Sequence, residues 1–249
     1  MTNKEQIQKW IAEYGEGSDF VKVRVRGIFP SASSLQLIPS HLVENGLKRG
    51  EEILLEEYSF AARIFGVDIA RYGDDSSSIV MRQGLKAELL WRGHGLCTMT
   101  VASVVAELED KYRPDAVFID SGSMGPGVID RLRQLGRTPV EVNFQHKPID
   151  PRFANKRAEM WWLTKEWLEA GGALPSFDTS RNEIRDILRG DLTSPEYGFT
   201  PANKILLESK EDMKKRGLPS PDTADGLALT FAAPVVKQQE VSTEMICDI

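Results

Sequence analysis

The stretch FGVDIARYGDDSSSIVMRQG, residues 65–84, decides how this chain folds. Two short apolar runs lie on either side of a polar turn at 71–75, so a pair of neighbouring strands is predicted. The first run carries Asp68 between Val67 and Ile69, in the interior of a predicted strand over 63–69. An unpaired buried carboxylate is costly. We therefore expect Asp68 to have a partner: a cationic side chain, a metal ion or the counterion of a bound phosphate.

Outward from this stretch, the pattern predicts an α/β fold. Three early strands that can form a meander, followed by alternating helices and strands, predict a mixed central sheet with helices on both faces. This order suits a ribonuclease-H-like sheet, and it would also suit one half of an actin-like ATPase. Strands are predicted over 63–69, 78–82, 86–92, 116–120 and 140–144, a hairpin over 197–209, and helices over 100–112, 125–136, 153–172 and 220–234.

Length and composition fit one large α/β domain, or one domain with a small appendage. The chain has 249 residues, of which 41% are hydrophobic, enough for a substantial core. Residues 1–60 read as a connector with little core of their own, 61–236 as the main domain, and 237–249 as a polar tail. No window approaches the 18 apolar residues of a membrane span, and the first residues lack the apolar segment of a signal peptide.

Charge and cysteine content exclude several kinds of site. Cys97 and Cys247 match no zinc-ligand spacing, and with three histidines a His/Cys metal site is not expected. The net charge of −6 argues mildly against a protein that coats nucleic acid. Local basic tracks remain possible at 22–26, 155–157 and 209–217, although each could equally be a solvated face.

Four aspartates form the candidate chemical site. Asp68 lies in the first strand, Asp120 ends the fourth, and Asp222 and Asp225 share one face of the last helix. Each aspartate alone could be a helix cap or a turn residue. Together, carboxylates on adjacent strands and a packed helix can hold two divalent ions, one activating water and one stabilising the leaving 3′ oxygen of a phosphodiester. Oxygen ligands favour Mg²⁺ or Mn²⁺ over zinc.

At this point the sequence resembles a known family. GVDIARYGDDSSSIV, VFIDSGSMGPGVIDRLRQLG, the NKRAEMWW helix start and ESKEDMKKRGLPSPDTADGLALTF are similar, in this order, to the nuclease domain of tailed-bacteriophage terminase large subunits. YGEGSDFVKVRVRGIFPSAS is similar to the linker that joins this nuclease to its motor. The resemblance implies that Asp68, Asp120 and Asp225 are the catalytic and metal-binding triad, with Asp222 as an auxiliary metal ligand.

The resemblance also implies a biological role. The family's nuclease has a ribonuclease-H-like fold and cuts concatemeric viral DNA during genome packaging in the host cytoplasm. Expected partners are double-stranded DNA, the ATPase motor domain, the portal and the small terminase subunit. No stretch matches the P-loop pattern G-x-x-x-x-G-K-[ST], so we expect a fragment or a split gene product that does not hydrolyse ATP by itself.

Basic residues near the acidic site are candidates for DNA contact. Arg71 could contact the scissile phosphate or pair with a neighbouring aspartate. Lys156 and Arg157 open the helix of Trp161, Trp162 and Trp167, which we interpret as core residues. Near the last hairpin, a DNA-backbone role and a solvated helix face are about equally plausible for Lys210, Lys214 and Lys215.

Three alternatives stay open from the sequence. An actin-like ATPase or sugar-kinase half would be stabilised by ATP and would need a second α/β half. A non-catalytic packaging-assembly module would use its acidic residues only for structure and would bind no divalent ions. A Holliday-junction resolvase would share the fold and chemistry but prefer branched DNA.

Overall fold

The structure is a computed structural model that describes residues 4, 7–8, 11–12, 35–70, 75–122, 124–177 and 179–238. The strands in the described part are β1 (Arg63–Asp68), β2 (Ser76–Gln83), β3 (Lys86–His94), β4 (Ala116–Asp120), β5 (Val140–Val142), β6 (Tyr197–Phe199) and β7 (Ile205–Leu207). The helices are α1 (Ser40–Glu52), α2 (Thr98–Tyr112), α3 (Gly125–Gln134), α4 (Lys156–Glu169), α5 (Asn182–Thr193), α6 (Lys210–Lys215) and α7 (Asp222–Leu229), with short 3-10 turns at Leu55–Tyr58 and Thr179–Arg181. None of the described helices is long and apolar enough to cross a bilayer.

Five strands form one mixed sheet in the order β3-β2-β1-β4-β5. Strands β1, β2 and β3 are antiparallel neighbours, whereas β4 is parallel to β1 and β5 is parallel to β4. Strands β6 and β7 form a separate antiparallel hairpin. This mixed sheet and the hairpin confirm the predicted α/β fold.

Alternation along β1 divides the core between the two faces of the sheet. Phe65 and Val67 belong to a cluster with apolar residues of α2 and α3. Ile64 belongs to the opposite cluster, which is built largely from α1, α4, α5 and α7. Because side chains alternate along a strand, Asp68 lies on the same face as Ile64 and Gly66, toward α7.

Two glycines allow α7 to pack directly on β1. A Cβ atom on Gly66 would lie 2.0 Å from the carbonyl oxygen of Gly226, and one on Gly226 would lie 2.5 Å from Oγ of Ser78. No side chain fits between strand and helix at this crossing. The first turn of α7 is thereby held against the sheet beside the end of β1.

Two sequence interpretations need correction. Asp68 is the last residue of β1, paired in register with Ser78, rather than an interior strand residue, because the pairing with β2 stops there. Residues 37–50 do contribute to the core: Leu37, Val43 and Leu47 are buried in the cluster that contains α4 and α5. The expectation of little core in the first sixty residues is wrong for this part, since one face of α1 is apolar. The assignment of 1–60 as a linker from a motor domain stays a prediction.

Candidate metal centre

Acidic residues meet at one edge of the sheet. Asp68 ends β1 and Asp120 ends β4, and these two strands are parallel neighbours paired at Val67 and Ile119. The carboxyl ends of parallel strands lie at the same edge, so the two aspartates project from equivalent heights. The structure thus brings together the two strand aspartates that the sequence predicted.

The first turn of α7 adds Asp222 and Asp225 to the same edge. The backbone N–H of Ser76 donates to Oδ2 of Asp222 at 2.7 Å, and the hydroxyl of Ser78 donates to the Asp222 carbonyl at 2.9 Å. The backbone N–H of Thr223 donates to Oδ2 of Asp191 in α5 at 3.0 Å. These bonds tie the first turn of α7 to β2 on the sheet and to α5.

A lysine lies among the carboxylates. Nζ of Lys210 is 2.9 Å from Oδ2 of Asp225, 3.4 Å from Oδ2 of Asp68 and 3.5 Å from Oδ1 of Asp222. Lys210 is the first residue of α6, whose N-cap is Ser209. The partner of Asp68 in this conformation is therefore a cationic side chain, one of the three possibilities that the sequence left open.

Burial controls the electrostatics of this cluster. Desolvation raises the pKa of Asp68 well above its usual value, against the attraction of Lys210 and with support from the neighbouring carboxylates. Desolvation also raises the pKa values of Asp120 and Asp222. For Lys210, desolvation lowers the pKa, but the attraction of Asp225, Asp68 and Asp222 outweighs it and the net shift is upward. Carboxylates whose ionised forms are destabilised in this way favour a bound cation.

Asp225 differs from the other three carboxylates because it has strong donors. Trp161 Nε1 donates to Oδ1 at 2.7 Å, and Nε of Arg157 donates to the same oxygen at 3.1 Å. Burial alone would raise the pKa of Asp225, but the charges of Arg157 and Lys210 together hold it below its usual value. Asp225 is consequently the member of the cluster that ionises most readily.

The donor set suits a hard divalent cation once the lysine leaves. As the described side chains stand, no three of the His, Cys, Asp or Glu groups are spaced to hold one ion. The carboxylate oxygens of Asp68, Asp222 and Asp225 lie 2.9–3.5 Å from the ammonium, whereas Mg²⁺ takes oxygen ligands at about 2.0–2.1 Å. The ammonium occupies a position that a metal ion could take, and the three side chains that it contacts there all offer carboxylate oxygen.

The acidic edge opens into a cleft of about 740 Å³. The β6–β7 hairpin contributes Tyr197, Phe199 and Leu206 to its lining, and Asn143, Gln145 and Asn155 line it as well. A cleft that combines apolar lining with a few convergent polar groups is typical of a ligand site.

The basic residues predicted to contact DNA differ in their burial and in their ion-pair partners. Lys156 is buried and its Nζ lies 2.7 Å from Glu159, and buried Arg157 pairs with Asp225 and donates to the Glu208 carbonyl at 2.8 Å. Both make ion pairs inside the protein, which explains why cations stand at the start of α4. Their role in DNA contact stays a prediction. Lys210 is likewise engaged with the carboxylates.

The remaining basic candidates are at the surface or outside the described residues. Lys214 is half exposed and pairs with Asp75 at 3.1 Å, and Lys215 is largely exposed and pairs with Asp212. Their role in DNA contact stays a prediction. Arg71 lies outside the part of the chain that the structure describes.

Sequence reasoning missed the residues that support the carboxylates. Trp161 is fully buried, as predicted for a core residue, yet its N–H reaches Asp225. The available signal was its position four residues after Arg157, which places both on one helix face. Asp191 had no such signal, because the helix that carries it was not predicted.

Comparisons with known proteins place this fold. No family model and no curated protein matches the sequence. The nuclease domain of the large terminase subunit gp2 of bacterial virus Sf6 is similar in structure, with a TM-score of 0.65 and 18% identity over 80% of this chain and 99% of that chain. A mutant of that domain with manganese has a TM-score of 0.64 at 19% identity, covering 80% of this chain and 99% of that chain.

A second phage protein has a related structure. The large terminase nuclease from thermophilic phage G20c with bound magnesium has a TM-score of 0.52 at 14% identity, over 70% of this chain and 82% of that chain. The fold and site define an α/β domain with a carboxylate cluster at the edge of a ribonuclease-H-like sheet. Terminase large-subunit nuclease domains have the same fold.

Proposed function

We propose that this chain is a divalent-metal-dependent endonuclease that hydrolyses phosphodiester bonds of DNA with two Mg²⁺ or Mn²⁺ ions. The observation that carries the proposal is the Lys210 ammonium in contact with three buried carboxylates at the edge of the sheet. A cluster that holds one cation among desolvated oxygens is suited to hold others. Similar solved domains are described with manganese and with magnesium.

Four side chains would hold the ions: Asp68, Asp120, Asp222 and Asp225. The bound ions would supply the Lewis acidity that activates a water molecule and stabilises negative charge on the leaving 3′ oxygen. The protein's own part is to fix these oxygens on rigid elements, β1, β4 and α7, in a desolvated setting where electrostatic interactions are strong.

The same carboxylates oppose binding of DNA while they lack counter-charge. Two or more ionised aspartates beside the cleft repel a phosphodiester, so cations at this edge are needed for substrate binding as well as for chemistry. The exposed ammonium groups of Lys214 and Lys215, on the helix that begins at Lys210, would contact backbone phosphates of neighbouring nucleotides. Such contacts position DNA without reading sequence.

In the proposed role the enzyme cuts concatemeric viral DNA during genome packaging in the host cytoplasm. It would work with an ATPase motor, a portal and a small terminase subunit. Support comes from the fold shared with the phage terminase nuclease domains and from Asp68 and Asp120, which end the neighbouring parallel strands β1 and β4.

The test is cleavage of supercoiled plasmid by the purified chain with Mg²⁺, with Mn²⁺ or with EDTA, beside two variants. Asp68→Asn removes one charge of the cluster, and Asp130→Asn removes an exposed charge of α3 as a matched control. We expect metal-dependent nicking and linearisation by the parent and by Asp130→Asn, and none by Asp68→Asn. Cleavage in EDTA, or full activity of Asp68→Asn, contradicts the proposed site.

A further inference from the structure

We infer that Trp161 and Arg157 are positioning residues that restrict Asp225 to a single metal-binding oxygen and thereby set which cation the site prefers. The inference rests on the proposed metal site and deepens it. Neither residue would touch the ion or the substrate, and both act through the carboxylate of Asp225.

The two oxygens of Asp225 have unequal surroundings. Oδ1 accepts the indole N–H of Trp161 at 2.7 Å and the Nε–H of Arg157 at 3.1 Å. Oδ2 lies 2.9 Å from Nζ of Lys210, with the second guanidinium nitrogen of Arg157 at 3.5 Å. Since Lys210 also contacts the other carboxylates, Oδ2 is the oxygen turned toward the metal centre.

Both donors are held rigidly on α4. Trp161 is fully buried, and the guanidinium of Arg157 lies 5.6 Å from the centre of its ring system. Arg157 also donates to the Glu208 carbonyl at 2.8 Å. Because the indole and the guanidinium are fixed by packing and by additional bonds, Asp225 cannot turn Oδ1 toward an ion without leaving two donors unpaired in the interior.

A carboxylate limited to one oxygen discriminates among cations. Ca²⁺ takes six to eight ligands and accepts carboxylates in bidentate fashion, whereas Mg²⁺ needs an octahedral set of single oxygens. Mn²⁺ shares the oxygen preference of Mg²⁺. Holding Oδ1 away from the centre therefore favours Mg²⁺ and Mn²⁺ over Ca²⁺.

The test compares two tryptophans of α4. Trp161→Phe removes the N–H donor to Asp225 and keeps an aromatic ring. Trp167→Phe is the matched control, because Trp167 is also buried and its Nε1–H donates to the Gly84 carbonyl at 3.0 Å, away from the carboxylates. Affinities of the whole chain for Mn²⁺ and for Ca²⁺ are measured by calorimetry without DNA, with unfolding temperatures for each protein.

We expect Trp161→Phe to bind Mn²⁺ about ten-fold or more weakly and to lose less affinity for Ca²⁺. The ratio of the Mn²⁺ affinity to the Ca²⁺ affinity should therefore decrease. Trp167→Phe should leave the ratio unchanged. Arg157→Lys keeps the charge but not the planar two-nitrogen contact with Asp225, and it should also decrease the ratio of Mn²⁺ affinity to Ca²⁺ affinity. This variant replaces Trp161→Phe in the test if Trp161→Phe does not fold.

Equal losses for both ions, or an unchanged ratio in Trp161→Phe and Arg157→Lys, overturn the inference. The proposed function would still stand if the parent chain binds Mn²⁺ and cleaves DNA. A parent chain that binds neither ion overturns the inference and the proposed metal site together.

Discussion

Nζ of Lys210 and Oδ2 of Asp225 lie 2.9 Å apart, so an ammonium group of the protein itself stands where the carboxylate cluster would receive a metal ion. We predict that Lys210→Ala lowers the Mn²⁺ concentration for half-maximal thermal stabilisation by about ten-fold, the effect of removing roughly 1.4 kcal/mol of competing attraction. The same variant should be less stable in EDTA, because the buried carboxylates lose their counter-charge.

The control for this prediction is Lys214→Ala. Lys214 lies on the same helix but is half exposed and pairs with Asp75 at the surface, so its removal should leave the Mn²⁺ midpoint unchanged. Equal midpoints for the two variants would show that Lys210 does not compete with metal ions.

Asp68→Asn is expected to stabilise the metal-free protein. Desolvation raises the pKa of Asp68, so the folded state favours its protonated form and loses stability relative to the unfolded chain as the pH rises above the ordinary pKa of an aspartate. Replacing the carboxyl by a neutral amide should raise the unfolding temperature in EDTA at pH 8 by about 2–4 °C, the shift that 1 kcal/mol produces in a chain of this size.

The same variant should lose most of its stabilisation by Mn²⁺, since one ligand is missing. Differential scanning calorimetry with EDTA and with Mn²⁺ checks both effects. A lower unfolding temperature in EDTA would mean that the pair with Lys210 outweighs the cost of burying the charge.

The buried carboxyl group of Asp191 should make the free energy of unfolding depend on pH. Burial raises its pKa to about 7, against the hydrogen bond from Thr223, so the folded state binds this proton more tightly than the unfolded chain does. The stabilising contribution of Asp191 is complete below the ordinary pKa of 3.8 and is lost as pH rises to about 7. One pKa unit corresponds to about 1.4 kcal/mol, so the full effect is on the order of 4 kcal/mol.

Asp191→Asn lacks this titration and keeps an oxygen that can accept the Thr223 N–H. The stability of the variant relative to the parent should therefore increase between pH 4 and pH 7 and level off above. Asp186→Asn, an exposed change on the same helix, is the control and should show no such trend in urea unfolding. A constant difference across the range contradicts the buried, protonated state of Asp191.

The sequence predicts the carboxylates of the site better than it predicts their partners. Asp120 follows an apolar run, and Asp222 and Asp225 are three residues apart on a helix, so local patterns locate them. Lys210 is 142 residues from Asp68 along the chain, and no local pattern indicates which basic residue enters the cluster. Trp161 is predicted to be a core residue, because the spacing of apolar residues predicts burial. That spacing does not predict which group the indole N–H will contact.

Gly66→Ala should test whether the crossing of β1 and α7 holds the site together. The new Cβ would lie 2.0 Å from the Gly226 carbonyl oxygen, so the helix must move away from the strand, at a cost of about 1–3 kcal/mol or more. Asp222 and Asp225 would move with it, away from Asp68.

We therefore expect Gly66→Ala both to lower the unfolding temperature and to reduce stabilisation by Mn²⁺. Gly198→Ala is the matched control, since Gly198 also lies in a strand and an added Cβ meets nothing within 4 Å. Both effects are read from thermal unfolding with and without Mn²⁺. If Gly66→Ala lost stability but kept the full stabilisation by Mn²⁺, the carboxylates of α7 would still reach the ion from a displaced helix. The metal centre would then not depend on the contact between β1 and α7.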